Sequence, residues 1–244
     1  RYNDEFRINS IKLEQKNVGK LTLTSGMIEL CKSGASSSAY ITCISNFGRF
    51  DMNGGIITSN KDYVAGAITQ DGALTSINNG TIEMFNRNNG MGVWGLRTAG
   101  LTKVSGGNIR AYSGAYTNAS SANMIITGGN FDSDCYYQIW NGGNYAKVLI
   151  ENVKLPKKTL GSYNVYINAA YNKTIIDASE IEATGGSAIY NVFGKNCSGE
   201  IKINNTKITG SHAISNGYVS YGTYDSYIDI DNSEITTKYS AIYK

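Results

Sequence analysis

Residues 201–208 run Ile201-Lys202-Ile203-Asn204-Asn205-Thr206-Lys207-Ile208. Ile201 and Ile203 are two residues apart, the spacing of one face of a β-strand. Ile208 comes five residues later, a step that needs a bend between two short strands. Asn205 stands in the gap, and Asn tolerates the left-handed backbone that a sharp turn demands. The stretch therefore reads strand, tight turn, strand.

The same spelling recurs along the chain. Ile28, Ile57, Ile82, Ile109, Phe131, Leu155, Ile181, Ile208 and Ile235 form one apolar column, with gaps of 22 to 29 residues. Five residues before each member lies a second apolar column, from Leu23 and Met52 through Ile176 and Ile203 to Ile230. Seven before lies Leu21, Phe50, Thr75, Thr102, Met124, Val148, Thr174, Ile201 or Ile228. Three before lies Ser25, Gly54, Asn79, Gly106, Gly128, Asn152, Ala178, Asn205 or Asn232, the expected turn residues. A repeat of this length marks a solenoid, whose units bury their inner faces only by stacking. The prediction is an all-β solenoid of about nine coils with parallel strands.

A third strand is expected after a variable loop in each coil. It shows in Tyr116-Thr117-Asn118, Ile139-Trp140-Asn141, Tyr166-Ile167-Asn168, Ile189-Tyr190-Asn191 and Ile214-Ser215-Asn216. If the first residue points inward, so does the Asn, and the five amides form a ladder up the stack. Residues 18–244 carry the repeat. Residues 1–17 repeat the offsets through Phe6, Ile8 and Leu13 but fall short of a coil, so they are expected to be an incomplete coil or an N-terminal cap. The sequence ends inside a third strand, from which a continuation in a longer parent chain is expected.

Composition agrees with strands and turns. Charged residues are 17% of the 244, Gly is abundant at 28, and Pro occurs once. The net charge of +3 is too small an excess to suggest a nucleic-acid partner. No apolar stretch approaches the ~18 residues of a membrane-spanning helix, so no membrane insertion is expected. Cys31, Cys43, Cys135 and Cys197 form no C-x-x-C pair, and His212 is the only histidine, which argues against zinc. Cys31 and Cys43 are read either as a pair bridged within one coil or as buried free thiols.

The repeat resembles the right-handed parallel β-helix of the pectate-lyase-like superfamily, from about residue 18 to the end. That resemblance implies the coil architecture. The superfamily holds polysaccharide lyases, glycoside hydrolases, phage tailspikes and bacterial surface adhesins, so the fold alone selects no activity. Polygalacturonase-like members share N-T-D, D-D, G-H-G and R-x-K motifs, of which Gly210-Ser211-His212-Ala213 matches one in part. Glu151, Asp177, Asn204 and Asp231 form an outward acidic column, away from His212. Pectate lyases share clustered Asp ligands for calcium and an Arg base. Here Asp132 and Asp134 are expected beside Arg110 and Lys158, as a salt ladder in preference to a catalytic pair. No phosphate loop, nucleophile elbow or triad is present. No catalytic residue, metal or cofactor is assigned.

Aromatic and apolar side chains carry the functional expectation. Trp140, Ile167 and Tyr190 take the middle of successive third strands and are expected to face outward. Tyr218, Tyr221 and Tyr224 share one long loop. On the first strand the outward position reads Thr22, Asp51, Ser76, Lys103, then Ile125, Leu149 and Ile175, then Lys202 and Asp229. Strand alternation supplies no folding reason for that apolar stripe. A folded-back loop at 217–226, a second subunit or a ligand would cover it. The expectation is a non-enzymatic binding or adhesion module of a secreted or surface-anchored bacterial protein, meeting glycan or host protein along its flank, with a homo-oligomer as a further possibility. The alternatives are an enzyme acting on acidic polysaccharide and a phage tail-fibre or tailspike segment.

Overall fold

The computed structural model describes residues 6–9, 13–16, 19–35, 40–84, 93–132, 135–157, 163–183, 186–192, 199–217 and 226–243. Among these, every regular element is a β-strand. The chain winds as a parallel β-solenoid. First strands stack in register from Lys20–Leu23, through the start of Arg49–Ser59, up to Gly199–Asn204 and Ser226–Asp231. Second strands stack likewise in two runs, from Met27–Leu30 to Asn130–Phe131 and from Lys154–Leu155 to the start of Glu234–Tyr243. Third strands run from Ile41–Asn46 through Val64–Thr69, Trp94–Thr98 and Tyr137–Asn141 to the ends of Lys207–Gly217 and Glu234–Tyr243. Seven coils are sandwiched between a coil below and a coil above, and the two end coils have one such neighbour each.

The core is the stack of inward columns. Leu23, Met52, Ile77, Val104, Ile126, Ile150, Ile176 and Ile203 are fully buried, as are Ile57, Ile82, Ile109, Phe131, Leu155, Ile181 and Ile208. Each such side chain stabilises the fold by about 1.5–3 kcal/mol over an exposed one. In the last coil Ile228, Ile230 and Ile235 are only partly buried, since no described coil covers them. At the other end Phe6–Asn9 pairs antiparallel with Met27–Leu30, and Leu13–Lys16 pairs antiparallel with Lys20–Leu23. The shared offsets of Phe6, Ile8 and Leu13 therefore do not make a further parallel coil.

The tight turns come in two forms. In five coils the left-handed residue is a glycine one position after the expected one: Gly26, Gly55, Gly80, Gly107 and Gly129. From the sixth coil onward it is the expected residue itself: Asn152, Ala178, Asn205 and Asn232, at φ of 44 to 54°. Asn232 Nδ2 donates to Asn205 Oδ1 at 2.6 Å, and Asn205 Nδ2 donates to Asp177 Oδ1 at 3.0 Å. Ala178 sits at φ 45° with neither a glycine's freedom nor an amide to bond its neighbours. Ala178→Gly or Ala178→Asn is expected to raise stability by about 0.5–1 kcal/mol, a rise in melting temperature of about 2–4 °C per kcal/mol. Differential scanning calorimetry showing a fall for both substitutions would overturn this account of the turn.

A polar spine lies inside the corner where the third strand leads into the next coil. Thr69 and Thr98 bond Thr102 at 2.8 and 2.7 Å, and Thr69 also donates to Thr75 at 2.7 Å. Asn46 Nδ2 donates to Thr75 Oγ1, and Asn141 Nδ2 to Thr174 Oγ1, both at 3.0 Å. The inward threonines of the first strand thus find hydroxyl or amide partners across the corner, as buried polar groups must.

The expected five-asparagine ladder is not formed. Asn141 pairs in register with Thr117 and Ile167, and Ile167 with Asn191, so Asn118 and Asn168 fall one residue beyond the inward position. Buried amides do bond up the stack elsewhere: Asn164 Nδ2 donates to Gln138 Oε1 at 2.8 Å. Cys31, Cys43 and Cys135 form no disulfide, while Cys197 lies outside the described residues. Burial and the nearby Cys31 push the Cys43 thiol up to about 12.

Candidate binding flanks

The third-strand flank carries an aromatic wall. The outward register runs Arg97, Tyr116, Trp140, Tyr166, Tyr190 and Ser215, one residue per coil. The expected outward set named Ile167, and here the structure corrects it. Ile167 is 0% exposed, inside the core, and Tyr166 takes the outward place between Trp140 and Tyr190. Matching Asn168 to Asn141 by identity moved this strand by one residue, which reverses every side chain. The alternation of Tyr163, Val165 and Ile167 against Tyr137, Ile139 and Asn141 would have located the register.

The rings touch one another along the stack. Tyr116 meets Trp140 at 4.4 Å between centroids, Trp140 meets Tyr166 at 5.4 Å, and Tyr166 meets Tyr190 at 5.9 Å. Tyr137 stacks on Tyr166 at 4.6 Å, and Tyr163 on Tyr190 at 4.2 Å. Tyr112 and Tyr136 extend the wall sideways, and Trp94 and Tyr40 extend it toward the first coil. The Arg97 guanidinium lies 4.2 Å above the Tyr40 ring. Trp140 Nε1 donates to Asn168 Oδ1 at 2.8 Å, so the displaced asparagine tethers the wall from outside.

Many of these rings lie nearly parallel, at 9° for Tyr163 and Tyr190 and 18° for Tyr137 and Tyr166. Their faces are occupied by each other. The wall therefore offers ring edges and phenol hydroxyls, which suit a polar or protein contact better than a sugar ring laid flat. Burial raises the pKa of Tyr137, and the neighbouring phenols Tyr112, Tyr166, Tyr136 and Tyr163 raise it further. Tyr112, Tyr163 and Tyr166 are raised chiefly by burial, and so is Tyr116, against the opposing charge of Arg97.

The first-strand flank is a parallel sheet with three outward columns. The central one reads Ser76, Lys103, Ile125, Leu149, Ile175, Lys202 and Asp229 in consecutive register. Ile125, Leu149 and Ile175 are half-buried, an apolar stripe three coils long. One neighbouring column carries Asn123, Lys147, Lys173, Glu200 and Tyr227. The other carries Glu151, Asp177, Asn204 and Asp231, the acidic column expected from spacing. Leu149 and Ile175 are thus flanked by charge on both sides, by Lys147 and Glu151 on one rung and Lys173 and Asp177 on the next. Tyr218, Tyr221 and Tyr224, and with them residues 218–225 of the 217–226 loop expected as one cover for the stripe, lie outside the described residues.

Of the candidate catalytic groups, Asp132 lies on a second-strand rung and His212 on the third-strand flank. Arg110 bridges Glu83 at 3.0 Å and Asp132 at 3.9 Å, a cross-rung salt ladder. Asp134 and Lys158 lie outside the described residues. His212 stands on the third-strand flank opposite Ser187, against the Tyr239 ring at 5.4 Å. Among the described residues no three His, Cys, Asp or Glu side chains gather as a metal site. No helix among them is long and apolar enough to cross a membrane.

The fold defines the class: a parallel β-solenoid with two ordered flanks. No protein-family model, no curated protein and no solved structure matches this chain.

Proposed function

We propose that this chain is a non-enzymatic extracellular binding or adhesion domain of a secreted or surface-anchored bacterial protein, which meets a glycan or a host protein through its flank. The observation that carries this reading is the Ile125–Leu149–Ile175 stripe. Three consecutive coils place an apolar side chain at an outward position that is polar in the coils immediately on either side, with charged residues left and right of Leu149 and Ile175. Apolar patches rimmed by polar residues mark contact sites. The aromatic wall supports the reading as a second preformed surface. The resemblance to right-handed β-helices of the pectate-lyase-like superfamily, which include bacterial surface adhesins, supports the extracellular setting.

The double substitution Leu149→Ser, Ile175→Ser tests it. The native chain is expected to bind on a glycan array or on immobilised extracellular-matrix proteins. The variant is expected to lose about tenfold or more in affinity, the scale of 1.4 kcal/mol for two half-buried apolar groups. Its melting temperature should stay close to that of the native chain. Retained binding by the variant, or no binding by the native chain, would sink the proposal.

A further inference from the structure

The aromatic wall sets oxidisable rings in pairs. In the third strands Tyr137–Asn141 and Tyr163–Ile167, Gln138 with Ile139 and Asn164 with Val165 are buried in succession. Two buried residues in a row break the strand's alternation of faces. Tyr137 and Tyr163 are thereby returned to the outer face, three residues before Trp140 and Tyr166. The amides hold this kink from inside, where Asn164 Nδ2 donates to Gln138 Oε1 at 2.8 Å.

Each returned ring leans onto the outward ring of the coil above. Tyr137 lies 4.6 Å from Tyr166 with the planes 18° apart, and Tyr163 lies 4.2 Å from Tyr190 at 9°. Both rings of a pair rise from one face of one sheet, so they stack hydroxyl beside hydroxyl. Burial raises the Tyr163 pKa, and the Tyr190 phenol is the next cause, the effect of a hydroxyl close by. The carbons ortho to the two hydroxyls then face each other across the stack. Tyr163 and Tyr190 are the closer pair, and both are half-buried. The register position above Tyr190 is Ser215, which lays no ring over it and leaves this pair room to shift.

We propose that Tyr163 and Tyr190 are an oxidative cross-linking site, joined as dityrosine by a peroxide-driven one-electron oxidant. Each phenol gives up one electron to the oxidant and its proton to water. The two phenoxyl radicals pair their odd electrons in one carbon–carbon bond between the facing ortho positions. The hydrogen on each of those carbons then moves to its own ring oxygen, restoring both phenols. The protein loses two hydrogen atoms in all, and one hydrogen peroxide becomes two waters. The stack holds the reacting partners in contact, the advantage of an intramolecular reaction over one that waits for an encounter. Tyr190 follows Tyr163 by 27 residues, one full coil, so the bond staples adjacent rungs as a disulfide closing the same loop would. The proposal stands independently of what the flanks bind.

Treating the dilute native chain with a peroxidase and hydrogen peroxide tests it. The expected product is a monomer lighter by two hydrogen atoms, with the blue fluorescence of dityrosine. After tryptic digestion, residues 159–173 and 174–195 should appear as one joined species, with fragment ions placing the bond at Tyr163 and Tyr190. Tyr190→Phe keeps the ring but has no phenol to oxidise, and should abolish the joined species. Tyr163→Phe should cut its yield severalfold, leaving only the wider Tyr166–Tyr190 pair at 5.9 Å. The oxidised monomer is expected to melt about 5–10 °C above the untreated chain.

Covalent dimers without the lighter monomer would mean that exposure governs the reaction, through rings such as Tyr239 at 64% exposed, and would overturn the site. So would an absence of dityrosine, a bond mapped to other tyrosines, or a yield indifferent to both substitutions. A correctly placed bond with no rise in melting temperature would overturn its role as a staple. The map of the native chain decides the site even if a variant loses its sheet signal.

Discussion

Ile203→Asp is expected to collapse the upper coils, whereas Lys202→Asp, one residue away, should be tolerated. Ile203 is 0% exposed and stacks in register between Ile176 and Ile230. Aspartate there removes apolar contacts and places a carboxyl where no cation or donor is available, so it must stay protonated or unfold its surroundings. The combined loss is on the order of 4–5 kcal/mol, a large part of the roughly 5–15 kcal/mol that a domain holds in reserve. Because each coil contacts only its neighbours, the damage should appear first as loss of the coils around and above residue 203. Lys202 points outward to Glu200 at 3.1 Å, a surface pair screened by solvent. Thermal denaturation followed by circular dichroism checks both. Equal melting curves for the two variants would mean that the inward and outward faces of this strand are wrongly assigned.

The second large effect is expected at high pH. The phenols of the aromatic wall are raised by burial and by one another, Tyr137 most clearly. In the unfolded chain tyrosine ionises near ~10. A group whose folded pKa lies above its unfolded value holds its full contribution to stability below the unfolded pKa. It loses that contribution as pH rises from there through the folded pKa. Stability should therefore be level through neutral pH and fall steeply above ~10, with several phenols contributing together. Tyrosinate absorbance from the wall should appear in step with loss of the sheet signal in circular dichroism. If those phenols ionise near ~10 while the sheet signal is intact, the wall is more open to solvent than its geometry implies.

At the acid end, Asp51 sets the contrast. Burial raises its pKa, but hydrogen bonds from Lys20 and Arg49 outweigh that and hold the carboxyl below its ordinary value. Its contribution is present above the unfolded pKa and is lost as pH falls through the lower folded value.

The sequence alone determined the solenoid, because its signal is local and repeated. A spacing of two followed by a step of five is imposed by strand geometry at every coil, and errors at one coil are outvoted by the others. The first-strand columns, the apolar stripe at Ile125, Leu149 and Ile175, and the acidic column from Glu151 to Asp231 were all legible in this way. So was the Arg110–Asp132 contact between adjacent rungs.

Only the tertiary structure decided what depends on register across variable loops. Third strands follow loops of unequal length, so a single shared Asn was enough to misplace Ile167 for Tyr166 and to suggest a ladder through Asn118 and Asn168 that the stack does not build. The rings of Tyr112, Tyr136, Tyr137 and Tyr163 joined the wall for the same reason: Tyr112 and Tyr136 lie just before third strands and Tyr137 and Tyr163 are the first residues of theirs, where the register across the loop decides their place. The position of the left-handed residue also moved by one between Gly129 and Asn152, since glycine and asparagine satisfy the same five-residue step with different turns.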